Sequence, residues 1–258
     1  MKKFIIILIL LLINLPCFSK TITGEVTKAT KKNENQIFDN QTNLPLEGVL
    51  IKIPSKNYET KTKKDGTFKL QTKINSPTIM SVEKSGYKPY SMTLSDSSTK
   101  PIQVGIEKTT PNDIIVDTNM IHLGDDSFSV RSANASDFSL NSIGAFFSKD
   151  FDIKPFKENE NIFLIIGSII GIDTIEAQRL EQSKVLTAYA SPPEVFFNGN
   201  KIAEIKINGD NQKISIPKGL IKSNQKNNIT IKAGHNLYKT TEIDYDDIEF
   251  TNLLLEIQ

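Results

Sequence analysis

Val195-Phe-Phe-Asn-Gly-Asn-Lys-Ile-Ala-Glu-Ile-Lys-Ile207 decides the fold. Asn198-Gly199 stands between two runs rich in aromatic and β-branched residues, and both turn residues tolerate the positive φ that a tight primed turn demands, so the stretch predicts a hairpin. Toward the C-terminus, Asp244-Tyr-Asp-Asp-Ile-Glu-Phe-Thr-Asn-Leu-Leu-Leu-Glu-Ile257 gathers three aspartates directly before a strand. Toward the N-terminus, the apolar run Ile162 to Ile172 is shorter than the ~20 residues a bilayer span needs. Rich in Ile and Gly, it reads as a buried central strand. Between them, Glu176 to Thr187 has weak helical spacing (Ala177, Leu180, Val185) and is expected to be a crossing loop or a short helix. The chain is expected to be all-β.

The first half repeats this grammar. Thr21 to Val26 reads as a short strand, and Lys28 to Asn43 as a polar loop long enough to count as an insertion. Leu46 to Ile53, Thr78 to Val82 and Tyr90 to Leu94 read as strands, with turns at Lys64-Asp-Gly-Thr67 and Lys84-Ser-Gly-Tyr87. Short strands at regular spacing mark a sandwich. Lys108-Thr-Thr-Pro-Asn-Asp113 is a polar break with a proline and the natural boundary. The expected organisation is a module over 20–108, a linker over 109–113 and a second module over 114–258.

Ile22-x-Gly24-x-Val26, Pro45-Leu-Glu-Gly-Val49-x-Ile51, Thr62-x-x-Asp-Gly66-Thr-Phe68 and Gly86-Tyr87 follow one another in an order that resembles the carboxypeptidase regulatory-like domain. The resemblance implies a transthyretin-like β-sandwich of the non-catalytic kind that spaces, stabilises or docks neighbouring modules. In the second module, Gly124-Asp-Asp126, Phe128, Gly144, the hairpin after Pro193, Ile214-x-Ile-Pro217 with Leu220, Asn228 to Ile231 with Gly234, and Asp246-Asp247-Ile-Glu-Phe250 follow in an order similar to a galactose-binding-like jelly roll. That resemblance implies a carbohydrate-binding module, and many such modules hold a structural ion.

Lys2-Lys3, the apolar run Phe4 to Leu15 and Pro16-Cys17-Phe18-Ser19 have the anatomy of a secretory signal peptide over residues 1–19. Export is the expectation, to the periplasm, the cell surface or the medium, with lipidation at Cys17 as the alternative to cleavage after Ser19. Cys17 is the chain's single cysteine. Cleavage after Ser19 therefore leaves neither disulfides nor thiolate metal sites. The chain carries 31 Lys and Arg against 30 Asp and Glu, and losing Lys2 and Lys3 takes +1 to −1. No global field recruits nucleic acid or anionic lipid. Arg131 and Arg179 are the only arginines, and phosphate or base readers favour the bidentate guanidinium, so no nucleic-acid partner is expected.

Asp125 and Asp126 near the start of the second module, and Asp244, Asp246 and Asp247 near its end, are candidate metal ligands, because jelly rolls bring first and last strands together. Calcium takes six to eight oxygen ligands, which carboxylates and carbonyls supply. The alternative is that each group is a solvated turn. A glycosidase pair needs carboxyls about 5 to 10 Å apart across a cleft, a poor fit to acids at strand ends. His122 and His235 lack a third nitrogen or sulfur ligand and read as packed or capped histidines. Ser142 and Ser148 lack a nucleophile elbow.

With no Trp in the chain, Tyr is the remaining ring with a polar handle for stacking on sugar. Tyr189, Tyr238 and Tyr245 lie in loops of the second module, with Asn198, Asn236 and Lys239 as polar neighbours. These six are the candidate ligand residues. The functional expectation is non-catalytic recognition of an extracellular or envelope glycan, and the alternative is a structural or protein-docking surface role.

Overall fold

The structure is a computed structural model that describes residues 33–95, 100–128, 138–157, 159–183, 189–239 and 241–258. The expected signal peptide and the strand expected at Thr21 to Val26 lie outside these residues. Nearly everything described is strand, turn or loop, and among the described residues no helix is long and apolar enough to cross a membrane.

The first module contains β1 (Gln36–Asp39), β2 (Leu50–Ile53), β3 (Tyr58–Lys61), β4 (Thr78–Glu83), β5 (Tyr90–Leu94) and β6 (Gln103–Ile106). An antiparallel sheet in the order β3-β2-β4-β5 faces a parallel pair, β1-β6. Ile37, Ile51, Ile53, Met80, Val82, Val104 and Ile106 fill the space between them. The polar insertion expected over Lys28 to Asn43 is thus corrected: it carries β1, whose Ile37 is fully buried. A single buried aliphatic residue among amides and lysines leaves little periodic signal.

The second module contains β7 (Asp113–Asp117), β8 (Ile121–Leu123), β9 (Phe146–Asp152), β10 (Ile162–Ile170), α1 (Ile175–Arg179), β11 (Glu194–Phe197), β12 (Asn200–Glu204), β13 (Gly209–Ile216), β14 (Lys226–Lys232) and β15 (Ile248–Ile257). One antiparallel sheet runs β13-β10-β15-β7, with β8 also paired to β15, and the other runs β12-β11-β14-β9. Along β14, Ile229 and Ile231 point inward while Asn228, Thr230 and Lys232 face outward, the period of two expected of a half-buried strand. Leu164, Ile166, Phe197, Ile229, Ile231, Phe250 and Leu253 close the core between the sheets. Burying each such side chain is worth about 1.5–3 kcal/mol.

The hairpin at Asn198-Gly199 forms with φ of 49° and 79°, the left-handed pair that a primed turn requires. Its second strand ends at Glu204, short of Ile207. As expected, β10 is central, and it is buried on both faces because its outer face meets the first module. Ser168 donates to Ser91 Oγ (2.9 Å), and Asp210 accepts from Thr93 N and Oγ1 (3.0 and 2.8 Å). Ile79 is fully buried there without joining either core. Lys88 reaches Glu256 at 2.7 Å, Asp113 at 3.4 Å and Glu107 at 3.6 Å, tying the first module to both the first and last long strands of the second. Thr110 to Asp113 forms a closed turn at the expected boundary.

Candidate functional site

β8 pairs with the start of β15, matching Leu123 to Ile248 and His122 to Glu249. The register lays Gly124-Asp-Asp126, which follows β8, beside Asp244 to Asp247, which precede β15. Asp125 Oδ2 accepts from Tyr245 N (2.9 Å), and Asp247 Oδ1 accepts from Asp126 N (3.1 Å). A Cβ at Gly124 would collide with the Asp247 carboxylate, so this approach requires glycine. The two aspartate groups named from sequence do meet. The solvated-turn alternative fits Asp125 and Asp126, which are exposed, but not Asp244, Asp246 and Asp247, which are at most 1% exposed.

Three further groups belong to this cluster. Asp173, fully buried where β10 ends, donates its N–H to Asp246 Oδ2 (3.1 Å). Glu249 and His122 are buried on the paired strands. Burial, then the charges of Asp173, Asp247 and Asp244, push the Asp246 carboxyl well above the usual range. Its Oδ1 has no hydrogen-bond partner among the described residues. Burial raises Glu249 to about 7, against the opposing pull of His122 and Lys56.

His122 Nδ1 lies 2.6 Å from the Leu140 carbonyl and Nε2 lies 2.8 Å from Asp247 Oδ1. A carbonyl only accepts, so Nδ1 carries a proton, and a carboxylate at Nε2 draws a second one. Burial opposes the imidazolium, but the bonds to Asp247 and Leu140 outweigh it and raise the pKa. His122 is therefore held from both ring nitrogens inside the cluster. Its ring nitrogens face Asp126 and Asp247 within 4.8 Å, but both are engaged as donors.

The remaining acids, Asp173, Asp244, Asp246 and Asp247, form a hard-oxygen set whose ligand atoms do not converge: among the described residues only His122, Asp126 and Asp247 bring ligand atoms within 4.8 Å of one another. Such a set suits calcium in preference to softer ions. Asp125 is drawn upward first by burial and then by the charges of Asp247 and Asp244, and it stands at the rim. Asp126 accepts from Ser142 N (3.1 Å) and faces outward.

The candidate ligand residues divide. Tyr189 and Tyr238 meet edge to face with ring centroids 5.6 Å apart, and Tyr238 is 68% exposed. Leu237, its chain neighbour, and Ile243, five residues on, are also exposed. Lys239 pairs with Glu242 at 3.0 Å and approaches Asp244 at 3.9 Å. Tyr245 is half-buried against the core. Asn236 is buried and donates to Asp244 Oδ2 (2.9 Å), so its amide braces the loop from behind. Asn198 does not join the group. It follows Phe197, at the far end of β11 from Ala190, which bridges to Asn236. Its side chain is spent on Leu220 O, Asn227 Oδ1 and Asn228 N.

The first module's four-stranded sheet, its parallel pair and its position before the Lys108 to Asp113 turn agree with one comparison. Residues 35–116 match the family of the CarboxypepD_reg-like domain. The match begins just before β1 and ends inside β7, a strand that pairs with β15 of the second module. No curated protein matches the chain. Among solved structures, a β-D-glucuronidase from Dictyoglomus thermophilum is similar at 12% identity with a TM-score of 0.31, over 58% of this chain and 29% of that one. The chain thus spans under a third of that enzyme's length, and a likeness this distant bears on neither fold nor activity.

Proposed function

We propose that this is an exported, non-catalytic binding protein whose second module, a jelly roll of galactose-binding-like type, recognises a glycan at the cell envelope or outside it. The observation that carries the reading is the Tyr189–Tyr238 ring pair, presented on loops at one end of a rigid sandwich with Tyr238 open to solvent. Tyr offers an apolar face with a polar tip, and Lys239, next in the chain to Tyr238, is the charged neighbour at hand. The carboxylates nearby crowd together in a buried cluster rather than facing each other across a cleft, which favours binding over acid–base chemistry. Calcium held by Asp125, Asp126, Asp244, Asp246 and Asp247, with Asp173, would have to draw their oxygens together, since among the described residues only His122, Asp126 and Asp247 bring ligand atoms within 4.8 Å of one another. The ion would supply the positive charge that lets them stay ionised when buried.

The second reading is a docking surface for a protein partner, favoured by the exposed Leu237, Tyr238 and Ile243. A glycan array probed with the full chain in calcium separates them. Binding to at least one glycan class, lost in Tyr238→Ala, is expected. An empty array, alongside a surface protein recovered by cross-linking, would contradict the glycan reading and leave docking in its place.

A further inference from the structure

We infer that the cleft between the two modules is a binding site for a neutral sugar of one or two rings, held at the amide of Asn252. No residue that lines it belongs to the tyrosine loops, so the inference stands whatever those loops recognise. The cleft has a volume of about 560 Å³, within the ordinary range for a small-molecule site. The start of β5 and the end of β6 form one wall, and β10, β13 and the second half of β15 form the other.

β15 places Asn252 in this cleft with a φ of 59°, a left-handed conformation that asparagine tolerates better than most residues. The residue lies between the pairs Ile166–Leu253 and Ser168–Thr251, opposite Gly167 of β10. It is 2% exposed, and neither its Oδ1 nor its Nδ2 has a hydrogen-bond partner among the described residues. Buried amides are normally bonded, and one left unsatisfied at both ends on an uncommon backbone conformation calls for a partner from outside the fold. Gly167 brings a second polar group to the same place: a Cβ there would stand 2.5 Å from Ser91 Oγ and 2.7 Å from Asn252 Cβ. Ser91 Oγ accepts from Ser168 (2.9 Å), which leaves its own proton to donate.

The charges that line the cleft are spent on one another. Lys88 reaches Glu256 at 2.7 Å and Glu107 at 3.6 Å. Lys213 donates to Gln258 Oε1 at 3.0 Å and stands 4.0 Å from Glu256. These two lysines and two glutamates balance, and an ionic guest would have to break their pairs to enter. What the cleft offers instead is an amide that both donates and accepts, a hydroxyl proton, and apolar surface from Ile165 and Leu254 with the Tyr90 ring, 36% exposed. A hydroxyl also donates and accepts at once. A sugar ring carries hydroxyls on its edge and C–H bonds on its faces, so its edge matches Asn252 and Ser91 while a face covers the apolar wall.

The test uses the full chain labelled with nitrogen-15 in its asparagines and titrated with galactose, N-acetylglucosamine and lactose. At least one of the three is expected to shift the Asn252 side-chain signal saturably. Asn252→Ala is expected to weaken that binding by about tenfold, and Tyr238→Ala to leave it unchanged. Galacturonate, the anionic counterpart of galactose, is expected to bind more weakly than galactose. If Asn252→Ala does not fold, Tyr90→Ala, at a part-exposed position, serves with the same weakening expected. No saturable shift from any of the three sugars, undiminished affinity in the cleft variant, or galacturonate binding as tightly as galactose would overturn the inference. Affinity lost in Tyr238→Ala but kept in the cleft variant would also overturn it, and would leave the recognition reading of the tyrosine loops standing.

Discussion

Asp39 in the first module and Asp246 in the second are both closed off from solvent, at 3% and 0% exposure, and they titrate in opposite directions. Asp39 ends β1 and accepts from Thr42 N (2.9 Å), Gln41 N (3.0 Å) and the Tyr87 hydroxyl (2.9 Å). The Thr42 amide foremost, with these other donors, holds its pKa at about 2 against the upward push of burial. Asp246 accepts one N–H, from Asp173, and is otherwise faced by carboxylates, so burial and repulsion drive it upward. Burial alone therefore decides nothing; the groups that the fold places around the carboxyl do. Where the chain supplies donors, the acid is a brace. Where its nearest charged neighbours are other acids, as at Asp246, the carboxyl is pushed toward its protonated form.

Chelation should separate the two regions most strongly. An ion that binds only the folded form adds about 2.7 kcal/mol at a hundredfold excess over its dissociation constant. A chelator should lower the melting temperature, and calcium, but not sodium at equal ionic strength, should restore it. Asp247→Asn should blunt that response, and the same change at exposed Asp152 should not. Asp39→Ala should act in the other region, lowering the melting temperature by a few degrees with or without calcium, because Tyr87 and two backbone amides lose their acceptor. A calcium-dependent loss there would break the comparison.

The two regions should also answer pH with opposite sign. Asp39 titrates below its ordinary value of about 3.9, so its contribution is complete above about pH 4 and is lost as pH falls toward 2. Asp246, Glu249 and His122 titrate above their ordinary values. The stability they contribute is present at low pH and lost as pH rises through their folded-state values. In chelator, urea unfolding should show the second module gaining stability from pH 7.5 to pH 5, and calcium should flatten that slope. The smallest effect is expected from Asp125→Asn, an exposed rim position whose new amide oxygen can still accept from Tyr245, at about 0.5 kcal/mol or less.

The hairpin at Asn198-Gly199, the central strand from Ile162 and the meeting of Asp125–Asp126 with Asp244–Asp247 were legible because each depends on local turn chemistry or on first and last strands being neighbours. β1 was not, since Ile37 is one aliphatic residue in a polar stretch and its Gln36 and Asp39 are buried through hydrogen bonds that sequence does not display. His122 reads from sequence as a packed or capped histidine and is one, whereas the places of Asp173 and Glu249 follow from β15 lying between β10 and the β7 and β8 strands. An acid just past a long buried strand, as Asp173 is three residues after β10 ends at Ile170, was the one available signal. Asn198 and Asn236 were grouped with the tyrosines by residue type. Strand direction sends the first to the opposite end, and Asp244 claims the amide of the second.

The most direct test of the cation account is thermal unfolding of the wild-type chain and Asp246→Asn, each in chelator and in calcium. In chelator the variant should melt above wild type, because an amide cannot acquire the charge that burial and the neighbouring acids oppose; in calcium the order should reverse, because only wild type binds the ion. Curves that keep the same order in both buffers, with wild type indifferent to calcium, would contradict it.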